Sequence, residues 1–119
     1  MGDLVNHPSH YTQASVPLEP IDVLRHAPFT LGNCLKYIIR AGHKGDALTD
    51  WKKARKYFRW AVRDCSYVEA PYVSFFCHHI FYLRKFKVFE ELEEGSIGLF
   101  YDQLGLLIEK NIQRLEAKE

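Results

Sequence analysis

Apolar residues recur at helical spacing through the middle of the first half of the chain. At steps of about 100°, Leu31, Cys34, Leu35, Ile38 and Ile39 fall on one side of a helix and Asn33, Lys36, Tyr37 and Arg40 on the other. Thr30 is placed to cap this helix, and Gly42, just beyond Ala41, is placed to end it in a left-handed conformation. His43-Lys44-Gly45-Asp46 then reads as a tight turn. A following helix starts near Asp46 or Thr49 and continues to about Cys65, with Trp51, Ala54, Phe58, Ala61, Val62 and Cys65 as its apolar stripe.

Upstream, residues 1–18 carry Pro8 and Pro17 and no periodicity, which predicts an extended arm lying on the domain. Pro20 suits the first turn of a short helix from Ile21 to His26 that Pro28 ends. Downstream, Pro71 opens a helix through about Phe86 that can extend into Glu90–Glu94, and Gly95 and Gly98 break it. A last helix carries Leu104, Leu107, Ile108, Ile112 and Leu115 on one face. No strand pattern persists, so the expected fold is all-α: a compact bundle of four to five helices with an extended N-terminal arm. Its 119 residues suit one domain with a single core.

The Pro71–Phe86 stretch is apolar nearly all round, with Tyr72, Phe75, Phe76, Phe81 and Tyr82 pointing several ways, and Phe86 and Phe89 following. Such a helix is covered on every side. Five short helices hardly enclose that much aromatic surface, so residues 66–119 are expected to contribute a homo-oligomer interface.

Charge adds a second asymmetry. Residues 1–64 carry 10 Lys/Arg against 6 Asp/Glu and residues 65–119 carry 6 against 9, leaving +4 and −3 in a chain of net charge +1. Within Lys36–Arg63 nine basic residues face only Asp46 and Asp50, a field that favours phosphate-bearing partners. The row Lys52, Lys56, Arg59 and Arg63 lies on one side of its helix. It reads as a solvated face or as the partner of an acidic surface such as Glu90, Glu91, Glu93 and Glu94; with no nucleic-acid motif in the chain, nucleic acid is not the expected partner.

Cys34, Cys65 and Cys77 stand far apart with no CxxC pair, as buried thiols in a reducing cytosol. Met1-Gly2-Asp3 opens no signal sequence, and the uncharged, aromatic-rich stretch Ala70–Leu83 has 14 residues, fewer than the roughly 17–25 a membrane helix needs. A cytoplasmic protein without membrane contact is expected.

The unit Asn33–Lys53 is the strongest site candidate. Gly42 and Gly45 flank His43 and Lys44 and permit exposed backbone N–H groups, the next helix start adds partial positive charge, and Arg40 and Lys44 complete an anion cradle. The alternative is an ordinary helical hairpin with a glycine cap. No GxxxxGK[ST] occurs, so phosphoryl chemistry here would rest on side-chain cations and positioning. His7 and His10 bracket Pro8-Ser9 in an arm able to hydrogen-bond a ligand, and one imidazole can shuttle a proton. Too few further ligands surround them for zinc, and no metal site is assigned. The ExxE spacings in Glu90–Glu94 would set paired carboxylates on one helix face, as in MazG-type nucleotide pyrophosphohydrolases, but the only later ExxE, Glu116 and Glu119, lies at the chain end.

Four blocks in order, Asn6-His7-Pro8-Ser9-His10-Tyr11, Ile21-Asp22-Val23-Leu24, Leu31-Gly32-Asn33…Lys36-Tyr37-Ile38…Arg40-Ala41-Gly42…Lys44-Gly45 and Asp50-Trp51-Lys52-Lys53-Ala54…Tyr57, resemble a family of small phage proteins described as nucleotide kinases. The resemblance covers roughly residues 6–58 and implies a tailed-phage or prophage origin, hence the bacterial host cytoplasm. It also implies nucleotide metabolism: binding of a (deoxy)nucleotide and phosphoryl transfer to a deoxynucleoside monophosphate without a P-loop, with ATP or another nucleotide as donor. The kinase-associated form is longer than this chain. On this reading His7, Tyr11, Asn33, Lys36, Tyr37, Arg40, Gly42, Lys44 and Gly45 bind the ligand, and His10 or Asp50 accepts the proton. The competing function is a non-catalytic accessory protein that sequesters a nucleotide or docks on a host protein, including in anti-defence. A third is the MazG-like pyrophosphohydrolase.

Overall fold

The computed structural model describes residues 19–65, 75 and 79–118 of the chain, and all regular structure among them is helical. The expected arm, with His7, His10 and Tyr11, lies outside the described residues.

Helix α1 spans Pro20–Leu24, with proline in its first turn and the Glu19 backbone N–H donating to Asp22 Oδ2 at 2.9 Å. Helix α2 spans Phe29–Arg40 and helix α3 spans Ala47–Cys65. The turn between them uses Gly42 at φ 86° and Gly45 at φ 76°, left-handed conformations that a side chain would oppose. The hairpin is tied near both ends. Thr30 Oγ1 donates to Asp64 Oδ2 at 2.9 Å, and ten residues further along α2, Arg40 Nε lies 3.6 Å from Asp50 Oδ2.

That first tie corrects the expected role of Thr30. Pro28 occupies the cap position of α2, no side chain caps it, and the Thr30 hydroxyl reaches across to α3 instead.

Helix α4 spans Ile97–Glu116 and starts at Ser96, whose Oγ accepts the Leu99 N–H at 3.1 Å. Gly98, expected with Gly95 to break the preceding helix, is therefore inside the last one. Lys52 with Glu116 (3.3 Å) and Arg55 with Glu109 (3.2 Å) set α3 and α4 antiparallel. They pack closely: a Cβ on Gly105 would lie 3.0 Å from Phe58 Cζ. Lys52 and Arg55 thus take their acidic partners from α4, whereas Glu94 pairs with Arg84 and Glu91 with Lys110.

Between α3 and α4 the described chain is helical over 79–83, turns at Arg84 and Lys85, and makes one 3-10 turn at Lys87–Phe89. The helix does not extend into Glu90–Glu94, because Phe89 and Leu92 dip into the core and pull the backbone off the helical path. Among its described residues Phe75 and Leu83 are buried, while Phe81 and Tyr82 are exposed, so the chain by itself does not cover this segment on every side.

One core joins these elements. It takes Val23 from α1, Leu31, Cys34, Leu35 and Ile38 from α2, Trp51, Ala54 and Ala61 from α3, and Phe100, Leu104, Ile108 and Ile112 from α4. Each deep aliphatic side chain contributes about 1.5–3 kcal/mol by leaving water, so this shared core, more than helix propensity, holds the short helices in place. Val62, expected in the stripe of α3, is exposed. Burial pushes the Cys34 thiol well above its ordinary range, leaving it a small apolar filler. Among the described residues no helix is long and apolar enough to cross a membrane.

Candidate functional site

The polar stripe of α2 stays on one face, but its members turn two ways. Asn33 Nδ2 donates to the Phe29 carbonyl at 3.0 Å, which fixes the amide against its own helix. With the exposed Lys36, Asn33 borders a groove between α1 and α2 of about 400 Å³, whose apolar walls include Ile21, Leu24 and Phe29 and whose rim includes Arg25. Tyr37 and Arg40 turn towards α3. The Tyr37 ring stacks on Tyr57 with centroids 5.8 Å apart and planes at 17°, and Lys53 Nζ stands 5.6 Å from the Tyr37 centroid.

Arg40 is joined to the most deeply buried charged group among the described residues. Asp50 is 3% exposed, and its Oδ2, which makes no hydrogen bond among the described residues, lies 3.6 Å from Arg40 Nε. A carboxylate in such a place needs its counter-charge, since an isolated buried ion is strongly unfavourable. Asp50, one of the two expected proton acceptors, is therefore covered and lies against Arg40, while the other, His10, lies outside the described residues.

In the turn, His43 N–H donates to the Arg40 carbonyl at 2.9 Å, and the residues from Gly42 to Gly45 are exposed. The start of α3, expected to face an anion, already has one of its own. Asp46 Oδ2 accepts from the Thr49 N–H (3.1 Å) and from the Thr49 hydroxyl (2.6 Å). The Thr49 hydroxyl, then its N–H, hold the Asp46 carboxyl below the usual carboxylate range. A phosphate at this turn would rely on Arg40 and Lys44 side chains against the charge of Asp46.

The acidic run gives no helix-face carboxylate pair, because the chain is not helical there. The Glu93 backbone N–H donates to Gln103 Oε1, and Gln103 Nε2 donates back to Glu93 Oε1, both at 2.8 Å. No group of three or more metal-ligating side chains occurs among the described residues.

Periodicity passed over one set of residues. Phe29 meets the Tyr57 ring edge-on at 6.3 Å, Tyr57 meets Trp60 edge-on at 5.3 Å, and Lys56 Nζ stands 5.3 Å from the Trp60 centroid. Lys56 with Trp60 was in the sequence as an i, i+4 pair of lysine and aromatic, which a search for apolar stripes does not register, whereas Lys53 reaches Tyr37 across to α2.

No curated protein and no solved structure matches the chain. Over residues 5–59, which take in α1, α2, the glycine turn and most of α3, the chain is similar to the family described as protein of unknown function, DUF3310.

Proposed function

We propose that the chain binds a nucleotide along α2, the base in the groove between α1 and α2 and the phosphate towards Arg40 and Lys44. The observation that carries this reading is the exposed Lys36 lining the apolar groove, one helical turn before the exposed Arg40, which turns towards α3. Asn33 and Arg40 are separated along α2 by about 10 Å at 1.5 Å per residue, a span suited to a nucleoside monophosphate. A ligand with an aromatic base and a charged end fits a surface that is apolar at one end and cationic at the other.

The reaction class that accords with this placement and with the phage nucleotide-kinase resemblance is phosphoryl transfer from ATP or another nucleotide to a deoxynucleoside monophosphate, in the bacterial host cytoplasm. Lys36, Arg40 and Lys44 would offset charge on the transferred group. The second reading, a binder that sequesters nucleotide without turnover, is favoured by Asp50, which is buried behind Arg40 and so poorly placed to take a proton from substrate.

Titrating deoxynucleoside monophosphates calorimetrically into the protein and into Lys36→Ala/Lys44→Ala tests binding. The double variant should lose at least tenfold in affinity, on the scale of a charge-assisted hydrogen bond. Equal affinity would remove the α2 face from consideration. Incubation with ATP and each monophosphate then separates the readings: diphosphate product supports transfer, tight binding without product supports sequestration, and pyrophosphate release from a triphosphate would favour the MazG-like hydrolase.

Self-association belongs to the same proposal. Phe81 and Tyr82, exposed beside each other in the described helical stretch, are its natural contact, and light scattering at high micromolar concentration reads the mass.

A further inference from the structure

The cations of α3 are sorted by the fold into two rows. One row faces α4, where Lys52 and Arg55 are matched by Glu116 and Glu109 and Arg59 lies beside Asp102 in a shared cleft. The second set is Lys53 and Lys56, which are exposed, have no acidic partner among the described residues, and stand over the rings of Tyr37 and Trp60. The rings touch in sequence from Phe29 through Tyr57 to Trp60, with Tyr37 stacked on Tyr57. Phe29 is 75% exposed and Trp60 38%. The acidic group at this end, Asp64, is engaged by the Thr30 hydroxyl.

We propose that this face of the α2–α3 hairpin, formed by Phe29, Tyr37, Lys53, Lys56, Tyr57 and Trp60, binds single-stranded nucleic acid. The chemistry decides the class of ligand. Phe29 and Trp60 are open at the two ends of a run completed by the half-buried Tyr37 and Tyr57; exposed rings of this kind offer π-faces on which bases can stack, and every base has such a face. Ammonium groups beside the rings, without acids to neutralise them, meet the phosphates between those bases. An acidic peptide would satisfy the lysines but leave the rings unused, and an apolar partner would bury two unpaired lysines at a cost. The sequence pointed away from nucleic acid because its most regular basic row, Lys52–Lys56–Arg59–Arg63, is only partly available: Lys52 is paired with Glu116 of α4, while Lys56 stands over Trp60.

The test uses a labelled oligothymidylate of about 15 nucleotides without a terminal phosphate, within the usual range of single-strand site sizes. Binding to the full chain is followed by anisotropy and by tryptophan emission. Trp51 is buried, so quenching reports on Trp60. Quenching, affinity rising with oligonucleotide length, and a roughly tenfold loss in Trp60→Ala with recovery in Trp60→Phe are expected, since stacking on an aromatic ring is the interaction removed and restored. Lys53→Gln/Lys56→Gln should lower the slope of log affinity against log salt by about 1.4, two phosphates at about 0.7 each. Lys36→Ala/Lys44→Ala, which tests the nucleotide site, should leave oligonucleotide binding unchanged, so the two sites fail separately. No binding at low salt, or equal affinity in folded Trp60→Ala and in the lysine pair, overturns the proposal. So does a change of oligomeric mass in Trp60→Ala with unaltered oligonucleotide uptake, which would make the face a protein contact.

Discussion

Arg40 Nε lies 3.6 Å from Oδ2 of Asp50, a carboxylate 3% exposed at the start of α3, while the arginine itself is partly open to solvent. The two residues belong to different blocks of the resemblance drawn from the sequence, and the turn through Gly42 and Gly45 brings them together. Arg40 is thereby both a candidate phosphate ligand and the counter-charge of a buried group, and a truncation acts on both.

Arg40→Ala should therefore destabilise the protein by about 1–3 kcal/mol, the scale for leaving a buried acceptor without its partner. Urea unfolding of Arg40→Ala, Asp50→Asn and the double variant checks this: Asp50→Asn should recover part of the loss, because a neutral amide at that place needs no counter-charge. Equal stability of Arg40→Ala and the parent would mean that the pair contributes nothing. Loss of nucleotide binding in Arg40→Ala is interpretable only beside this control.

At the other end of the hairpin, Thr30→Val keeps the shape of the side chain and removes the hydroxyl that donates to Asp64. A loss of about 1 kcal/mol is expected, the usual net worth of one hydrogen bond, with Asp64→Asn giving a smaller change because its amide oxygen still accepts. A thermal midpoint unmoved by Thr30→Val would show that Asp64 is held by its other surroundings.

Gly42 has φ 86° and nothing within 4 Å of where a Cβ would stand. Gly42→Ala therefore isolates the backbone term, and the expected cost is about 1–2 kcal/mol, the preference of L-residues against the left-handed region. Denaturant unfolding measures it directly. A neutral result would mean that the turn relaxes to another conformation.

Much of this architecture was legible because burial on one helix face leaves a periodic trace. Leu31, Cys34, Leu35 and Ile38 in α2, and Leu104, Ile108 and Ile112 in α4, are buried as their spacing predicts. What escaped depends on groups distant in sequence. Thr30 looked like a cap, yet its partner Asp64 lies 34 residues away. Glu90–Glu94 looked helical by propensity, but burial of Phe89 and Leu92 overrode it. In the site, the stripe Asn33, Lys36, Tyr37 and Arg40 was correctly placed on one face of α2. Its division between the α1 groove and α3 depends on the interhelical packing, and no single-helix projection contains that.

Asp46 supplies a prediction that joins stability to ligand. Its carboxyl is held below the ordinary value of 3.8, chiefly by the Thr49 hydroxyl and then by the Thr49 N–H. A depressed carboxyl stabilises the fold above the unfolded value, and that contribution is lost as the pH falls through the lower, folded value. Asp46→Asn should thus be less stable than the parent at neutral pH, and the difference should shrink below about pH 4, around the ordinary carboxylate range. The same substitution removes the negative charge that opposes a phosphate at the turn. Nucleotide affinity at pH 7 should then rise in Asp46→Asn if the phosphate sits at Arg40 and Lys44, and stay constant if it sits at Lys36 alone. Calorimetry of the parent and Asp46→Asn at low and high salt decides between the two positions. A fall in affinity without loss of fold would sink both, and would make Asp46 itself a ligand contact.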